Sequence, residues 1–283
     1  MDEANQAAEA PHTPLTLGIS PCPNDVYIFA GLLLKKVDSE GLAFDVAYED
    51  VETLNAAARR GAYDVVKISY ANAAFVDTGY ELLPCGGALG RGVGPLLLIH
   101  GERSAFDPTR EVLVPGEFTT ANFLLDFYLE RAGVPKRFLP FDVLYNELCN
   151  REGAQGVVIH EKRFTFASDG LTLVADLGEH WEAQTGFAIP LGAIAVRRAL
   201  GRATQIARLV RASLAWSDAH PEEAFALCRE YASDLTDGVI QSHIDLYVND
   251  YSRDLGEEGA ASVEHFFAQQ RRFRALQGAA DRF

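Results

Sequence analysis

Gly86-Gly-Ala-Leu-Gly-Arg91-Gly-Val-Gly94, followed at once by the apolar run Pro95-Leu-Leu-Leu-Ile-His100, is the stretch on which the fold turns. Five glycines in nine residues demand unusual backbone angles or a close approach to something. One candidate is a nucleotide cradle. A phosphate loop needs Lys-Ser/Thr after its last glycine, and none follows Gly92; the spacing of Gly90, Gly92 and Gly94 does not match Gly-x-Gly-x-x-Gly either. The other candidate is a passage between two lobes, with Pro95 to His100 as a long linking strand. A second apolar strand, Gly192-Ala-Ile-Ala-Val196, suits a passage back.

Outward from these passages the chain keeps one rhythm. Leu15 to Ile19 reads as a strand, Ser20-Pro-Cys-Pro-Asn24-Asp25 as a turn, and Asn24 or Asp25 as the cap of a helix running to about Lys36. Leu42 to Tyr48 alternates as a strand, and Val51 to Arg60 is a helix ended by Gly61. Asp64 to Ile68 is a strand, Ser69 opens a short helix, and Tyr80 to Pro84 is a strand again. Three strand–helix repeats predict a parallel sheet with helices on its faces. The rhythm restarts with strand Glu111 to Val114, helix Thr119 to Ala132, strand Lys136 to Pro140, helix Phe141 to Arg151 and the buried strand Gly156 to Ile159. Leu171 to Asp176 is a further strand, and beyond Leu200 the chain is nearly all helix, with Pro221 and Thr236-Asp237 as starts.

The prediction is an α/β chain of two lobes joined by two crossover strands, with a helical C-terminal region. Lobe 1 is discontinuous, 15–96 plus 195–283; lobe 2 is 97–194; residues 1–14 form a frayed tail. This is the type II periplasmic-binding-protein-like architecture, in which ligands sit in the cleft between lobes.

At 283 residues and 48% apolar, the chain has enough material for more than one core. Its net charge of −15 opposes nucleic acid and anionic membrane surfaces as partners. No stretch approaches the ~20 apolar residues of a membrane span. The polar, acidic N-terminus lacks the features of a secretory signal, and Cys22, Cys85, Cys149 and Cys228 are widely spaced, so a cytoplasmic, reducing location is expected, with no disulfide framework. Cys22 reads as a small buried residue in a turn.

Several strand ends converge on the predicted cleft. His160 stands where the apolar run Gly156-Val-Val-Ile159 stops, the place where open α/β sheets bind ligands. An imidazole there can take or give a proton near neutral pH. Thr119 and Thr120 open a helix whose free N–H groups favour an anion. Lys67 and Arg91 add positive charge, and Asn24, Asp25 and Ser69 supply polar groups. The expected ligand is a small carboxylate. No His-Glu-x-x-His or other metal-ligand spacing occurs, so no metal is expected. The aromatic groups Phe123/Phe127/Tyr128 and Phe266/Phe267/Phe273 read as core or lobe-packing surface.

Ser20-Pro-Cys-Pro-Asn-Asp25, Gly90-Arg-Gly-Val-Gly-Pro95 and Ile159-His-Glu161 resemble one family nearly end to end, the 1,4-dihydroxy-6-naphthoate synthases of the futalosine route to menaquinone. Asp64-Val-Val-Lys-Ile-Ser69, Thr119-Thr-Ala121 and Thr185-Gly-Phe-Ala-Ile-Pro-Leu-Gly192 match as well. The resemblance implies a binding-protein fold used as a cytoplasmic lyase without a cofactor, acting on cyclic dehypoxanthine futalosine. It implies His160 as the catalytic histidine and Ser69, Thr119 and Thr120 as ligand-site residues. The first loop departs from the pattern, with Val26-Tyr27 where Thr-Phe is expected after the aspartate. On this reading a neutral His160, poised near pH 7, removes a proton, Asn24 or Asp25 holds ribose-derived hydroxyls, and the helix start at Thr119 holds the carboxylate. Two rivals remain: a chorismate dehydratase of the same route, and a non-catalytic solute-binding protein, against which the missing export signal argues. Oligomeric state is not legible.

Overall fold

Strand and helix alternate along the first series: β1 (Leu15–Ile19), α1 (Pro23–Leu33), β2 (Phe44–Tyr48), α2 (Val51–Arg59), β3 (Val65–Ser69), α3 (Tyr70–Val76), β4 (Tyr80–Leu82) and β5 (Ala88–Gly90). The second series is β6 (Leu96–His100), β7 (Val112–Val114), α4 (Thr120–Leu129), β8 (Lys136–Phe138), α5 (Phe141–Asn150), β9 (Gln155–Val158), β10 (Leu171–Asp176) and α6 (Leu177–Thr185). The chain closes with β11 (Ile189–Arg197), α7 (Ala203–Ala219), α8 (Pro221–Tyr231), α9 (Asp237–Tyr247), α10 (Asp250–Arg253) and α11 (Gly256–Ala280). The structure is a computed structural model that describes residues 13–101, 105–130 and 134–280. Most of the expected N-terminal tail, and the last residues of the helix expected to run to Ala132, lie outside the described residues.

Two sheets result. The first has the order β2-β1-β3-β11-β4, with β5 also paired to β11. Its β2, β1 and β3 are parallel, whereas β11 runs antiparallel to β3, β4 and β5. The second sheet has the order β10-β6-β9-β7-β8. There β7 is parallel to β8 and β9, and β6 is antiparallel to β9 and β10.

The two linking strands need a correction. Leu96–His100 is an inner strand of the second sheet, and Ile189–Arg197 is an inner strand of the first. Both are buried apolar runs, and a buried run must place its amide groups in a ladder. The actual passages are the shorter segments 91–95 and 186–188, which carry glycine. Gly92 has φ +67°, and a Cβ on Gly94 would collide with the Gly178 Cα, so this loop is glycine-rich for backbone angle and for contact with α6.

Each half has its own core. Leu17, Ile19, Ile28, Phe29, Ile194 and Val210 are buried together around β1, α1, β11 and α7. Each contributes roughly 1.5–3 kcal/mol relative to exposure. Leu98, Leu113, Leu144 and Val158 form a core under α5. The long α11 ties the halves together. Its Phe266 ring lies 4.8 Å from Phe123 of α4 and 5.7 Å from Trp181 of α6, and Gln270 donates to the Ala71 carbonyl of α3 at 2.7 Å. The two aromatic groups singled out in the sequence therefore pack on each other. No helix among the described residues is long and apolar enough to cross a membrane.

Candidate active site

A cavity opens between the two sheets. Its walls come from the carboxyl ends of β1, β3 and β9, the start of α4, the segment 93–95, and one face of α9. Asn24, Asp25, Lys67, Ser69, Thr119, Thr120 and His160 all line it.

The β1–β3 wall is a buried polar network. Asp25 is 1% exposed and Lys67 5% exposed, and the two form an ion pair. Pro23 opens α1 at N1 with Cys22 as the residue before it, so Asn24 and Asp25 do not cap the helix as expected. They lie in its first turn and face inward. Asp25 Oδ2 accepts from the Ser20 hydroxyl at 2.7 Å and the Ser20 N–H at 3.3 Å; Oδ1 accepts from Asn24 Nδ2 at 2.9 Å and from Lys67. Four donors fill the carboxylate. Lys67 keeps two further N–H donors beside the cavity. Ser69 is held by Asn55, whose Oδ1 accepts from the Ser69 N–H at 2.8 Å and whose Nδ2 donates to Oγ at 3.1 Å.

The opposite wall is made by α4 and by the turn after β9. Thr119 caps α4, accepting from the Asn122 N–H at 3.2 Å and donating to the Gly116 carbonyl at 2.9 Å. Thr120 donates to the Leu191 carbonyl at 3.1 Å, which ties α4 to β11. The Thr120 and Ala121 N–H groups precede the first helical hydrogen bonds and border the cavity. Nearby, Glu52 of α2 accepts from the Phe118 N–H at 3.2 Å, a bond between the halves; burial pushes its carboxyl above the usual range.

His160 begins a tight helical turn, His160–Phe164, with φ +58°. A left-handed angle is costly for a residue with a Cβ, and such strain collects at functional sites. Its ring meets Phe141 edge to face at 5.3 Å, and Nδ1 lies 3.6 Å from Cys22 Sγ. Burial alone would lower its pKa. Electrostatic interaction with Cys22 and the Sγ–Nδ1 hydrogen bond outweigh that, with help from Glu161 and Asp25, and push it up to about 9. This corrects the expectation of a histidine poised near pH 7. Cys22 is half-buried and faces the imidazole; it is not turn filler.

His243 on α9 is 1% exposed, borders the cavity, and has no hydrogen bond to either ring nitrogen among the described residues. Burial, then the positive charges of His160 and Lys67, lower its pKa to about 3, so it is neutral. The sequence carried a signal for it. Ile240, His243, Ile244 and Tyr247 fall at helical spacing on one buried face, with a polar ring where an apolar one belongs.

Arg91 is the predicted site residue that the fold does not bring in. Its guanidinium, about half exposed, donates to the Gly186 carbonyl at 3.0 Å and pairs with Glu258 at 3.3 Å and Glu182 at 3.9 Å. The Gly92 N–H also binds Glu182, at 2.7 Å, so α6 and α11 hold this loop outward. Among the described residues no group of three or more His, Cys, Asp or Glu is placed to hold a metal ion.

Residues 15–272 match the family model described as menaquinone biosynthesis. The chain is 44% identical over 261 residues to the 1,4-dihydroxy-6-naphthoate synthase of Thermus thermophilus, covering 90% of this chain and 93% of that one. It is 42% identical over 257 residues to the same-named protein of Streptomyces coelicolor, covering 88% and 90%. Among solved structures, protein AF1704 of Archaeoglobus fulgidus superposes with a TM-score of 0.85 at 30% identity, covering 94% of this chain and 99% of that one. A Candida albicans protein with the generic periplasmic-binding-protein fold superposes with a TM-score of 0.68 at 10% identity, covering 91% and 90%.

Proposed function

This chain belongs to the menaquinone-biosynthesis family, whose curated relatives are 1,4-dihydroxy-6-naphthoate synthases, and from that premise we propose that it is a lyase converting cyclic dehypoxanthine futalosine to 1,4-dihydroxy-6-naphthoate, with His160 as general base. The observation that carries the reading is the placement of His160. It sits at the cavity edge in a left-handed backbone conformation, Nδ1 turned to Cys22, with no hydrogen bond to Nε2 among the described residues. A base held by a third group is the usual arrangement for proton abstraction.

Releasing the sugar-derived part from the carbocycle requires a proton to leave and negative charge to spread into a conjugated system. Aromatisation to the naphthalene diol supplies the driving force. Nε2 receives the proton; the Cys22 sulfur at Nδ1 then stabilises the imidazolium that forms. Lys67 stabilises negative charge developing on an adjacent oxygen, because one Asp25 carboxylate leaves it two donors. The substrate carboxylate is assigned to the Thr120 and Ala121 N–H groups at the start of α4. The reaction draws on no metal or organic cofactor, and the small carboxylate is the only partner this reading needs.

The test is direct. The purified chain is incubated separately with cyclic dehypoxanthine futalosine and with chorismate, and products are read by mass spectrometry. The dihydroxynaphthoate from the first is the expected result. Dehydration of chorismate would assign the chain to the other reaction of the route, and stabilisation by a small carboxylate without turnover of either would make it a binding protein.

A further inference from the structure

We propose that His243 is a specificity-determining contact: a neutral imidazole that receives a hydroxyl or other non-carboxylate oxygen of the ligand, at a point distinct from the carboxylate subsite on α4. This rests on the reading above that the cavity takes a hydroxylated aromatic acid or its precursor.

Three observations meet at this residue. Its side chain is buried and borders the cavity, yet both ring nitrogens lack partners among the described residues. A buried polar atom left unmatched is costly, so a fold keeps such a ring where something else completes it. The ring is also fixed. Tyr247, one turn on, packs against it with centroids 4.6 Å apart, and α9 lies against the turn that carries His160.

The surroundings decide which ligand group fits. Lys67 and His160 already place positive charge at the cavity, and a third cation there is disfavoured; burial and these neighbours keep His243 uncharged. A neutral imidazole offers one N–H donor and one lone pair together. A hydroxyl can donate to the bare nitrogen or accept from the N–H, so it suits whichever nitrogen faces the cavity. A carboxylate only accepts, and would leave the second nitrogen facing negative charge. The cavity thus divides its work: helix N–H groups and cations for the acid, His243 for a hydroxyl.

The experiment compares two ligands differing only in hydroxyls, 1,4-dihydroxy-6-naphthoate kept anaerobic and 2-naphthoate, by equilibrium dissociation constant on the wild-type chain, His243→Phe, His243→Leu and His243→Gln. Melting temperatures identify which apolar variant is folded. We expect the dihydroxy acid to bind wild type more tightly. His243→Phe or His243→Leu should lose at least about tenfold for it, about 1.4 kcal/mol, while changing 2-naphthoate less than about twofold. His243→Gln, which retains a donor and an acceptor, should recover most of the preference. Equal weakening of both ligands would make His243 a packing residue and overturn the proposal. No preference for the dihydroxy acid in wild type, or an unchanged preference in the apolar variants, would overturn it too. Turnover of cyclic dehypoxanthine futalosine is scored in parallel; its absence would overturn the reaction while the binding ratios still decide His243.

Discussion

The two walls of the cavity solve opposite problems. On the β1–β3 wall nearly every polar atom is spoken for: Asp25 accepts from four donors, and Ser69 exchanges two bonds with Asn55. On the wall built by α4, the turn at His160 and α9, groups have no partner among the described residues, including both nitrogens of His243 and the first N–H groups of α4. A saturated network sets shape and field, since its atoms have no bonding capacity to spare. An unsaturated group gains most from a ligand, since it has a buried vacancy to fill. The lesson is to look for chemistry where the fold has withheld partners, and for architecture where it has supplied them.

The largest effect should come from the open wall. His160→Asn keeps a polar side chain of similar reach and removes the base. Its kcat should fall by about 10²- to 10⁴-fold, the usual worth of a positioned general base, with the melting temperature near wild type. Stopped or endpoint product assays beside a thermal melt check this; near-wild-type turnover would remove His160 from the mechanism. On the saturated wall the loss should be in stability. Asp25→Asn leaves the buried Lys67 charge without its counter-ion, and breaking such a pair typically costs about 3–5 kcal/mol. Chemical denaturation should show this. Lys67→Met combined with Asp25→Asn should be more stable than Asp25→Asn alone, because the uncompensated charge is gone. A fully stable Asp25→Asn chain would mean that this pair serves the ligand and not the fold.

Most of the fold was legible because its signals are local. Apolar runs of four to six residues marked β1, β3, β7 and β9, and turn residues marked their ends. Those signals put Asp25, Ser69, Thr119 and His160 at strand or helix ends, and all four line the cavity. What was lost depends on contacts far along the chain. The register of β6 between β9 and β10 decides that it is a sheet strand and not a link. The pairing of Cys22 with His160 spans 138 positions, so no spacing rule could have turned a histidine near pH 7 into one near 9. His243 was missed differently. Its helical position predicted burial, but only the packing around it leaves its nitrogens unmatched.

The next effect is a shift more than a loss. For a base, only the unprotonated form works, so kcat/KM should climb with pH and level off near the His160 pKa, about 9. Cys22→Ala removes the sulfur contact that favours the imidazolium, so burial weighs more heavily against the remaining pull of Glu161 and Asp25. The rising limb of the kcat/KM profile should then move to lower pH, while KM changes little. The sign is specific. Were Cys22 only filling space, its loss would lower activity equally at all pH values and leave the limb in place.

Arg91 gives the smallest expected effect and the sharpest boundary to the site. It stands within the glycine-rich passage, and its charge made it a natural partner for a carboxylate. Its guanidinium is instead engaged by Gly186, Glu258 and Glu182 on the outer side. Exposed ion pairs are worth about 0–1 kcal/mol, since solvent screens them and long side chains lose freedom in forming them. Arg91→Ala should therefore lower stability by no more than about 1 kcal/mol and leave kcat and KM within about twofold of wild type. If the halves close further around substrate and swing this loop inward, the same variant should raise KM by tenfold or more with kcat little changed, the mark of lost ground-state binding. Steady-state kinetics on this one variant decide whether the carboxylate is held by the start of α4 without help from the passage.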